Sequence, residues 1–267
     1  MILRFIGLLT PDVQRIPMAQ PTHSRATWLD GPSSTCATPA QPVRAWRLIL
    51  LGAPGVGKGT QADLLRQRLG ACHLSTGDVF RSAGKREGCT PSPAMAAALD
   101  FMRRGQLVPD ATVWEMVRER RQCLHCRGGF ILDGFPRTLM QAESLMKLMQ
   151  DEHISLDAVI NYELPLAEIV DRLSGRRTCA QCKAVYHVTR QPSRVEGVCD
   201  RCPGKLLQRE DDRPESVQVR MEVYERSTAP LIQFYRELGV LRPVVAVGTP
   251  EEIFRRTAEI LKANLKG

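Results

Sequence analysis

The stretch from Gly52 to Thr60, which reads GAPGVGKGT, contains the residues whose types and spacing most clearly indicate a chemistry. Glycines allow several backbone N–H groups to point at one anion, and the positive end of a following helix favours that anion further. Lys58 adds a mobile charge for the β- and γ-phosphates of a nucleotide, and the hydroxyl of Thr60 can reach a magnesium ion or its waters. A glycine turn that binds nothing is the alternative, but it leaves the lysine and the threonine without a role. The stretch therefore predicts a phosphate-binding loop.

A carboxylate and a guanidinium follow the apolar run 129–132, in the string DGFPRT that starts at Asp133. If that run is a strand, Asp133 stands at its carboxyl end, where it can face the phosphate loop and hold a magnesium-bound water. Arg137, four residues later, can bind a phosphate through two parallel hydrogen bonds. A strand-to-helix turn with a surface arginine is the alternative for any Asp-Gly turn. The whole string favours a second phosphate site.

Four of the nine cysteines form two CxxC pairs that are well separated along the chain. They are Cys179, Cys182, Cys199 and Cys202. This spacing is typical of a structural zinc site with four thiolate ligands in a reducing compartment, and it does not suggest a disulfide framework.

Cys123 and Cys126, with His125 between them, are a weaker signal. We interpret them as residues of the turn before the apolar run 129–132. A second metal or redox site is the alternative.

Arginines flank the cysteine segment on both sides. The string RLSGRR (172–177) precedes it, the string REDD (209–212) follows it, and Arg220 lies in the next helical pattern. Arginines that are brought together repel one another unless acidic side chains or phosphates lie between them, so ligand-driven closure of this segment is expected. A solvated charged face is the usual interpretation of any one such run.

Composition places few limits beyond these motifs. The chain has 267 residues, 43% of them hydrophobic and 25% charged, as is ordinary for a globular protein with a sizeable core. The net charge of +8 could indicate nucleic acid, but aromatic residues are only 5% and are not interleaved with the basic ones. No apolar run approaches the ~20 residues of a membrane span.

Secondary-structure patterns alternate between strand and helix from Arg47 onward, which predicts a parallel sheet with right-handed crossovers. The expected strands are 48–51, 129–133, 158–162 and 244–247, with a short one near 73–74. The expected helices are 58–69, 110–122, 139–150, 166–173, 214–238 and 250–263. Two regions interrupt the alternation: 75–108, which has a helical pattern, and 175–212, which contains the CxxC pairs.

Residues 1–46 differ from the rest in being rich in Pro, Ser and Thr and in lacking sustained periodicity. We expect a disordered extension. Its arginines outnumber its acidic residues, which suggests an organelle transit segment, and an over-extended start with Met18 as an internal alternative is equally compatible.

From about Arg47 to its end, the chain resembles the adenylate kinase family of nucleoside monophosphate kinases. The phosphate loop matches in detail, including the glycine at 59 that separates the lysine from the threonine. The strings LSTGD (74–78), GQLVPD (105–110) and DGFPRT (133–138) follow in the family's order. The segment between the first two is a few residues longer than expected near 83–95.

The resemblance implies a role for individual residues. For catalysis it implies Lys58, Arg172, Arg176, Arg209, Asp211, Asp212 and Arg220. For ATP it implies Gly55, Val56, Gly57, Lys58, Gly59, Thr60, Arg172, Arg176, Val185, Tyr186 and Pro250. For AMP it implies Thr76, Arg81, Gln106, Leu107, Val108, Gly134, Phe135, Pro136, Arg137, Gln141, Arg209 and Arg220, with Thr76 also expected to cap the helix that carries Arg81. Magnesium would be held through water by Thr60 and Asp133.

The resemblance also implies an architecture and a reaction. The fold would be α/β: a P-loop parallel sheet flanked by helices (47–74, 109–174 and 213–267), with a helical AMP-binding insertion (75–108) and a zinc-containing lid (175–212). The reaction would be reversible transfer of the γ-phosphoryl of Mg-bound ATP to AMP. Kinases of the same fold with GTP:AMP or UMP/CMP specificity are alternatives, and a basic zinc-ribbon nucleic-acid binder is an alternative of another class.

We expect ATP, AMP and ADP as partners and a monomer, because a kinase with two moving lids needs those surfaces to be free. We expect neither nucleic acid nor membrane as a partner. The expected compartment is the cytoplasm, or the mitochondrion if residues 1–46 are a transit segment.

Overall fold

A computed structural model describes residues 44–83, 93–119 and 121–263, and the structural statements below refer to these residues. The expectation of a disordered extension falls almost wholly on residues 1–43, outside the described part. The expectation of extra length near 83–95 also falls mainly outside it.

A five-stranded parallel sheet forms the centre of the molecule, as the alternating pattern predicts. Its strands, in spatial order, are β2 (Cys72–Ser75), β3 (Gly129–Asp133), β1 (Trp46–Leu51), β4 (Ala158–Glu163) and β8 (Leu241–Val245). All five run in the same direction, so their carboxyl ends meet at one edge of the sheet, where ligands of open α/β folds bind.

Helices cover both faces of this sheet. They are α1 (Lys58–Leu69), α2 (Thr76–Ala83), α3 (Pro93–Arg103), α4 (Asp110–Glu119), α5 (Leu139–Asp151), α6 (Leu166–Ser174), α7 (Pro214–Val223), α8 (Pro230–Glu237) and α9 (Pro250–Ala263). Successive residues of a strand point to opposite faces, so β1 sends Ile49 and Leu51 into one buried cluster and Leu48 and Leu50 into the other. The two apolar layers explain why the strands are continuous hydrophobic runs.

The helix predicted over 214–238 is not continuous. A π-helical turn, Tyr224–Thr228, separates α7 from α8, and the N–H of Ala229 donates to the carbonyl of Tyr224, five residues back. Pro230 has no N–H, and in a regular helix its ring would collide with the carbonyl of Arg226. The wider turn accommodates the proline, and the prediction of one helix was wrong here.

Two other predicted boundaries are wrong by a few residues. The strand predicted at 244–247 lies at Leu241–Val245, because β8 is an edge strand and tolerates Pro243, which pairs opposite Asn161. The helix predicted to end at 122 ends at Glu119, and a 3-10 turn, Arg121–His125, follows it.

The cysteine segment folds into its own small antiparallel sheet, with the order β6 (Val185–His187), β5 (Arg176–Cys179), β7 (Leu206–Leu207). A separate small cluster, built on Cys179, Ala184, Tyr186 and Cys199, forms its interior. We refer to residues 175–212 as the lid.

Within the described ranges, none of the helices has both the length and the apolar character that crossing a membrane requires.

Candidate active site

The phosphate-binding loop connects the buried strand β1 to helix α1. Gly57 is the N-cap of α1 and has a φ of 101°, a conformation that L side chains rarely adopt. Lys58 begins the helix, and its Nζ donates hydrogen bonds to the carbonyls of Gly52 (2.7 Å) and Ala53 (3.0 Å). Two carbonyls of the loop thus hold the ammonium group of Lys58, which lines the cavity described below.

The electrostatic environment of Lys58 disfavours its charged form. Burial lowers its pKa most, Asp133 opposes this, and Arg137 lowers it further, so that the pKa is about 7. An incoming polyphosphate would reverse this balance, because negative oxygens stabilise the ammonium.

Asp133 ends β3, opposite Leu50 of β1, and so lies beside the phosphate loop. His73 of β2 lies behind it, with Nε2 3.4 Å from Asp133 Oδ2 and Nδ1 3.5 Å from Asp63 Oδ1. Burial would raise the pKa of Asp133, but hydrogen bonding and charge from His73 lower it below the ordinary value. Sequence reasoning missed His73, whose only signal was its place in the short strand expected near 73–74.

A cavity of about 590 Å³ opens at the carboxyl edge of the sheet, between the phosphate loop, α2 and the lid. It brings together most of the residues that the resemblance implicated. Those lining it are Gly55, Gly57, Lys58, Gly59, Thr60, Arg81, Gln106, Asp133, Gly134, Arg137, Arg172, Arg176, Val185, Tyr186, Arg209, Asp211, Arg220 and Pro250.

A smaller pocket of about 30 Å³ adjoins the cavity beneath Gln106 and Arg137. Four more of the implicated residues, Thr76, Leu107, Val108 and Gln141, line it. Its lining includes the apolar side chains Phe80, Leu107, Val108 and Val113, so it offers an apolar contact surface, although its volume is only about that of one water molecule.

Four implicated residues do not reach either space. Val56 is 1% exposed, and its carbonyl accepts a hydrogen bond from Arg172 at 3.2 Å. Phe135 is also 1% exposed and packs against Trp114 in the core, with ring centroids 6.3 Å apart. Pro136 is buried beside it. A nucleotide could contact Val56, Phe135 and Pro136 only through their backbone atoms. Asp212, the fourth residue, contacts Arg176 and Arg220 instead.

Thr76 does not cap α2 as expected. It is the first residue of the helix, and its hydroxyl donates to the carbonyl of Gly134 at 2.9 Å. The preceding hydroxyl, of Ser75, instead accepts from the N–H of Asp78 at 3.4 Å. Thr76 therefore ties α2 to the turn that carries Arg137.

A short chain of hydrogen bonds orients that turn. The backbone N–H of Arg137 donates to Gln141 Oε1 (2.8 Å), and Gln141 Nε2 donates to Asp110 Oδ1 (2.6 Å). Arg137 Nε donates to the carbonyl of Gly134 at 2.8 Å. Burial and the nearby Arg220 lower the pKa of Arg137 to about 10, which indicates a site short of negative charge. Sequence reasoning missed Asp110.

Acidic residues hold the arginines at the base of the lid. Arg176 donates through Nε (2.7 Å) and Nη2 to both carboxylate oxygens of Asp212, whose side chain is fully buried. Arg220 lies 3.1 Å from Asp211 and from Asp212. Burial would raise the pKa of Asp211, but Arg220 and other arginines lower it below its ordinary value. The expectation that these two aspartates organise the arginines agrees with these contacts.

The two remaining arginines contact neighbouring chain segments. Arg172 Nη2 donates to the carbonyl of Ala246 at 2.8 Å, beyond β8. Arg209 Nε donates to the hydroxyl of Thr178 at 2.9 Å, and its burial lowers its pKa well below the ordinary value.

The cavity carries an excess of positive charge. Its lining contains eight lysine or arginine side chains and four carboxylates. Arg190 of the lid is among the eight and was missed, because a single lid arginine has no distinguishing sequence context. Such an excess favours polyphosphate ligands.

The four lid cysteines form a group whose sulfur atoms all lie within 4.8 Å of one another. Cys179 and Cys202 are 3.4 Å apart and Cys182 and Cys199 3.5 Å apart, sulfur to sulfur. A tetrahedral zinc with Zn–S bonds of about 2.3 Å would separate its sulfurs by about 3.8 Å, so the group fits zinc with little adjustment. The backbone N–H of Arg201 points at the sulfur of Cys199 (3.4 Å), as expected around a thiolate.

The lid cysteines contact the cavity through β6. Tyr186 lines the cavity, and its hydroxyl lies 3.4 Å from Cys199 Sγ while it accepts from the N–H of Asp200 at 2.9 Å. On the opposite wall, Gln61 of α1 donates to the carbonyl of Pro250 at 2.9 Å and fixes the start of α9. The cavity therefore has one wall on the sheet domain and one on the lid.

Comparison with known proteins agrees with this geometry. A family model described as adenylate kinase matches residues 50–240. An adenylate kinase of Carboxydothermus hydrogenoformans is 48% identical over 208 residues, which are 78% of this chain and 95% of that protein. One from Caldicellulosiruptor bescii is 49% identical over 217 residues (81% and 98%), and one from Streptomyces griseus is 45% identical over 222 residues (83% and 100%). These matches favour none of the alternatives left open by the sequence.

Proposed function

The chain belongs to the adenylate kinase family and is an ATP:AMP phosphotransferase, and on this premise we propose which of its residues hold each substrate and carry the transfer. The observation that supports the assignment best is the shared cavity. Lys58 of the phosphate loop and Arg137 of the turn after β3 line the same cavity, so two cationic groups suited to phosphate are available to two nucleotides in one space.

The donor, ATP, would lie on the phosphate loop. The N–H groups from Gly55 to Thr60 would surround its phosphates, with Lys58 as the mobile charge. Val185, Tyr186 and Pro250 also line the cavity and would contact the adenosine. Thr60 and Asp133 would hold magnesium through water, and the ion supplies charge neutralisation on the β- and γ-phosphates.

The acceptor, AMP, would lie between α2 and the turn after β3. Arg81 and Arg137 line the cavity there and would bind its phosphate, while Leu107 and Gln141, which line the adjoining smaller pocket, would contact the base. Gln141 retains one N–H for a base after its bond to Asp110, since its amide nitrogen carries two.

Transfer needs in-line positioning, charge neutralisation and exclusion of water rather than a general base, because the acceptor phosphate is already ionised. Arg172, Arg176, Arg209 and Arg220 line the cavity and would surround the moving phosphoryl group. Asp211 and Asp212 hold two of these arginines in place before a nucleotide arrives.

The segment 75–108 would be the AMP-binding insertion, and 175–212 a lid that closes over both nucleotides. The cysteines at 179, 182, 199 and 202 would hold one structural zinc, which supplies local folding energy. The sheet domain would comprise 47–74, 109–174 and 213–267.

The substrate assignment is tested by a coupled assay over a panel of nucleoside mono- and triphosphates. We expect AMP with ATP to give the highest kcat/KM. A higher value with GTP as donor, or with UMP or CMP as acceptor, would overturn the specificity while leaving the reaction class intact.

We further propose a monomeric, cytoplasmic protein, with the mitochondrion as the alternative compartment if residues 1–46 act as a transit segment. Light scattering on the full chain tests the first statement, and cell fractionation with a tagged full chain tests the second.

A further inference from the structure

Cys72 and Cys126 lie together at the end of the sheet opposite the cavity. Cys72 is the first residue of β2, and Cys126 immediately follows the 3-10 turn that leads to β3. Their sulfur atoms are 2.6 Å apart, whereas a disulfide bond measures about 2.05 Å, and neither cysteine is in a disulfide. Both residues are partly exposed.

The backbone holds the two segments together independently of the sulfur atoms. In the β2–β3 ladder, Cys72 pairs opposite Phe130. Two residues before Cys72, the chain at Gly70 passes so near Gly128 that a Cβ on Gly128 would lie 2.0 Å from the carbonyl oxygen of Gly70. The carbonyl of Cys126 accepts a hydrogen bond of 2.8 Å from the N–H of Gly129, at the start of β3. The thiols are therefore placed in contact by the main chain.

A metal site is a weaker explanation of this contact. Among the described residues, only the lid cysteines bring three or more ligand atoms of this kind within 4.8 Å of one another. His125, the neighbouring candidate ligand, lies 2.8 Å from Glu152 instead. Two thiols that lie in contact can be oxidised to a disulfide.

We propose that Cys72 and Cys126 form a redox-modification site, at which a two-electron oxidant such as hydrogen peroxide produces a reversible disulfide between them. One thiolate attacks the peroxide O–O bond and becomes a sulfenic acid as hydroxide leaves. The second sulfur attacks the sulfenic sulfur, the S–S bond forms, and the departing oxygen leaves as water. In total, two thiols lose two electrons and two protons, and peroxide is reduced to two waters; a dithiol reductant reverses the modification.

The disulfide would tie the edge strand β2 to the entry of β3 and close the chain over 72–126, which includes α2, α3 and α4. Closing so long a loop restricts the unfolded chain, so we expect the oxidised protein to melt about 5 °C or more above the reduced one. Turnover should change less than twofold, because the bond forms at the amino end of the strands and the cavity lies at the carboxyl end.

The test treats the full-length, zinc-loaded protein with a small excess of hydrogen peroxide and maps its peptides without reduction by mass spectrometry. We expect a linked pair of peptides that contains Cys72 and Cys126, and its loss after dithiothreitol. A link between Cys123 and Cys126, or oxidation that yields no link to Cys72, would overturn the proposal.

Single serine variants provide the control. Cys123→Ser should keep both the link and the rise in melting temperature, whereas Cys72→Ser and Cys126→Ser should lose both. If either of the latter variants folds poorly, the corresponding alanine variant replaces it. A rise in melting temperature of equal size in Cys72→Ser would mean that oxidation acts elsewhere and would refute the assignment.

Discussion

Arg176 and Asp212 join the two ends of the lid. Arg176 begins the first lid strand, Asp212 ends the 3-10 turn that closes the segment, and the guanidinium donates to both oxygens of a carboxylate that has no exposed surface. Such a pair is strongly destabilised when one member is removed, because the other is left buried and unpaired. Here Arg220 also contacts Asp212, so the carboxylate keeps one cationic partner if Arg176 is lost.

Arg176→Ala should lower kcat by tenfold or more and change the KM for AMP less than threefold. Arg176 lines the cavity from the lid side, and a contact made chiefly in the transition state appears in kcat. Steady-state titration of each substrate at saturating levels of the other measures both parameters. Arg236→Ala removes an exposed arginine whose Nη1 donates to Gln233 on α8, and it serves as the control for loss of a positive charge. An unchanged kcat would remove Arg176 from the transfer step.

Arg137→Ala should raise the KM for AMP about tenfold or more and leave the KM for ATP nearly unchanged. The side chain lines both the cavity and the smaller pocket, and loss of a charged hydrogen bond to phosphate typically costs about 1.5–3 kcal/mol. The same titrations decide the matter, with Arg236→Ala again as the control. If the KM for AMP stayed within error of the wild type, the acceptor phosphate would have to bind elsewhere.

ATP binding should be accompanied by proton uptake at pH 8. The pKa of Lys58 is about 7 in the nucleotide-free protein, so the amine is mostly neutral at pH 8, and triphosphate oxygens would raise that pKa and protonate it. Because the bound state has the higher pKa, affinity is greatest below pH 7 and falls as the pH rises toward the bound-state value.

Calorimetry with a non-hydrolysable ATP analogue, in two buffers of different ionisation enthalpy, measures the proton number directly. We expect close to one proton taken up at pH 8 for the wild type and none for Lys58→Met. The same variant should fold but lose ~10²-fold or more in kcat, since a preorganised charge is lost. Equal proton numbers in both proteins would assign the uptake to another group.

The purified protein should contain one zinc per chain, and Cys199→Ser should reduce that content and loosen the lid. The four sulfur atoms already lie at nearly tetrahedral separations, and metal binding stabilises the surrounding fold. Elemental analysis and limited proteolysis of 175–212, before and after chelation, provide the readouts. Cys123→Ser is the control, because it replaces a cysteine outside the lid cluster, and this variant should retain the zinc. A lid that stays fully protected after chelation would contradict the proposal.

The sequence predicted the parts of the fold that depend on local pattern. The apolar run before Gly52 forms a strand that begins two residues earlier than predicted and ends where predicted. Helices α1 and α9 begin and end where they were expected. Parallel strands joined by helices have few possible topologies, so the site had to form at the carboxyl edge.

Contacts between residues that are far apart in the chain could not be predicted from local sequence patterns. His73 approaches Asp133 because β2 pairs with β3, and no local pattern indicates that pairing. The contact between Cys72 and Cys126 depends on the same pairing and on the approach of Gly70 to Gly128. The sequence predicted that the hydroxyl of Thr76 caps a helix. Residue spacing alone could not show that this hydroxyl would instead donate to the carbonyl of Gly134, which lies in a turn far away in the chain.

The π-helical turn at Tyr224–Thr228 constrains which insertions and deletions this part of the chain can accept. It contains one residue more than a regular turn, and it separates Arg220, which faces the cavity, from Leu231 and Tyr235, which are fully buried in the core. Each residue of an α-helix turns the chain by about 100°. A three-nucleotide deletion in this turn would therefore rotate either the arginine away from the cavity or the two core side chains toward solvent. A change of length in this turn therefore requires compensation on one side of it.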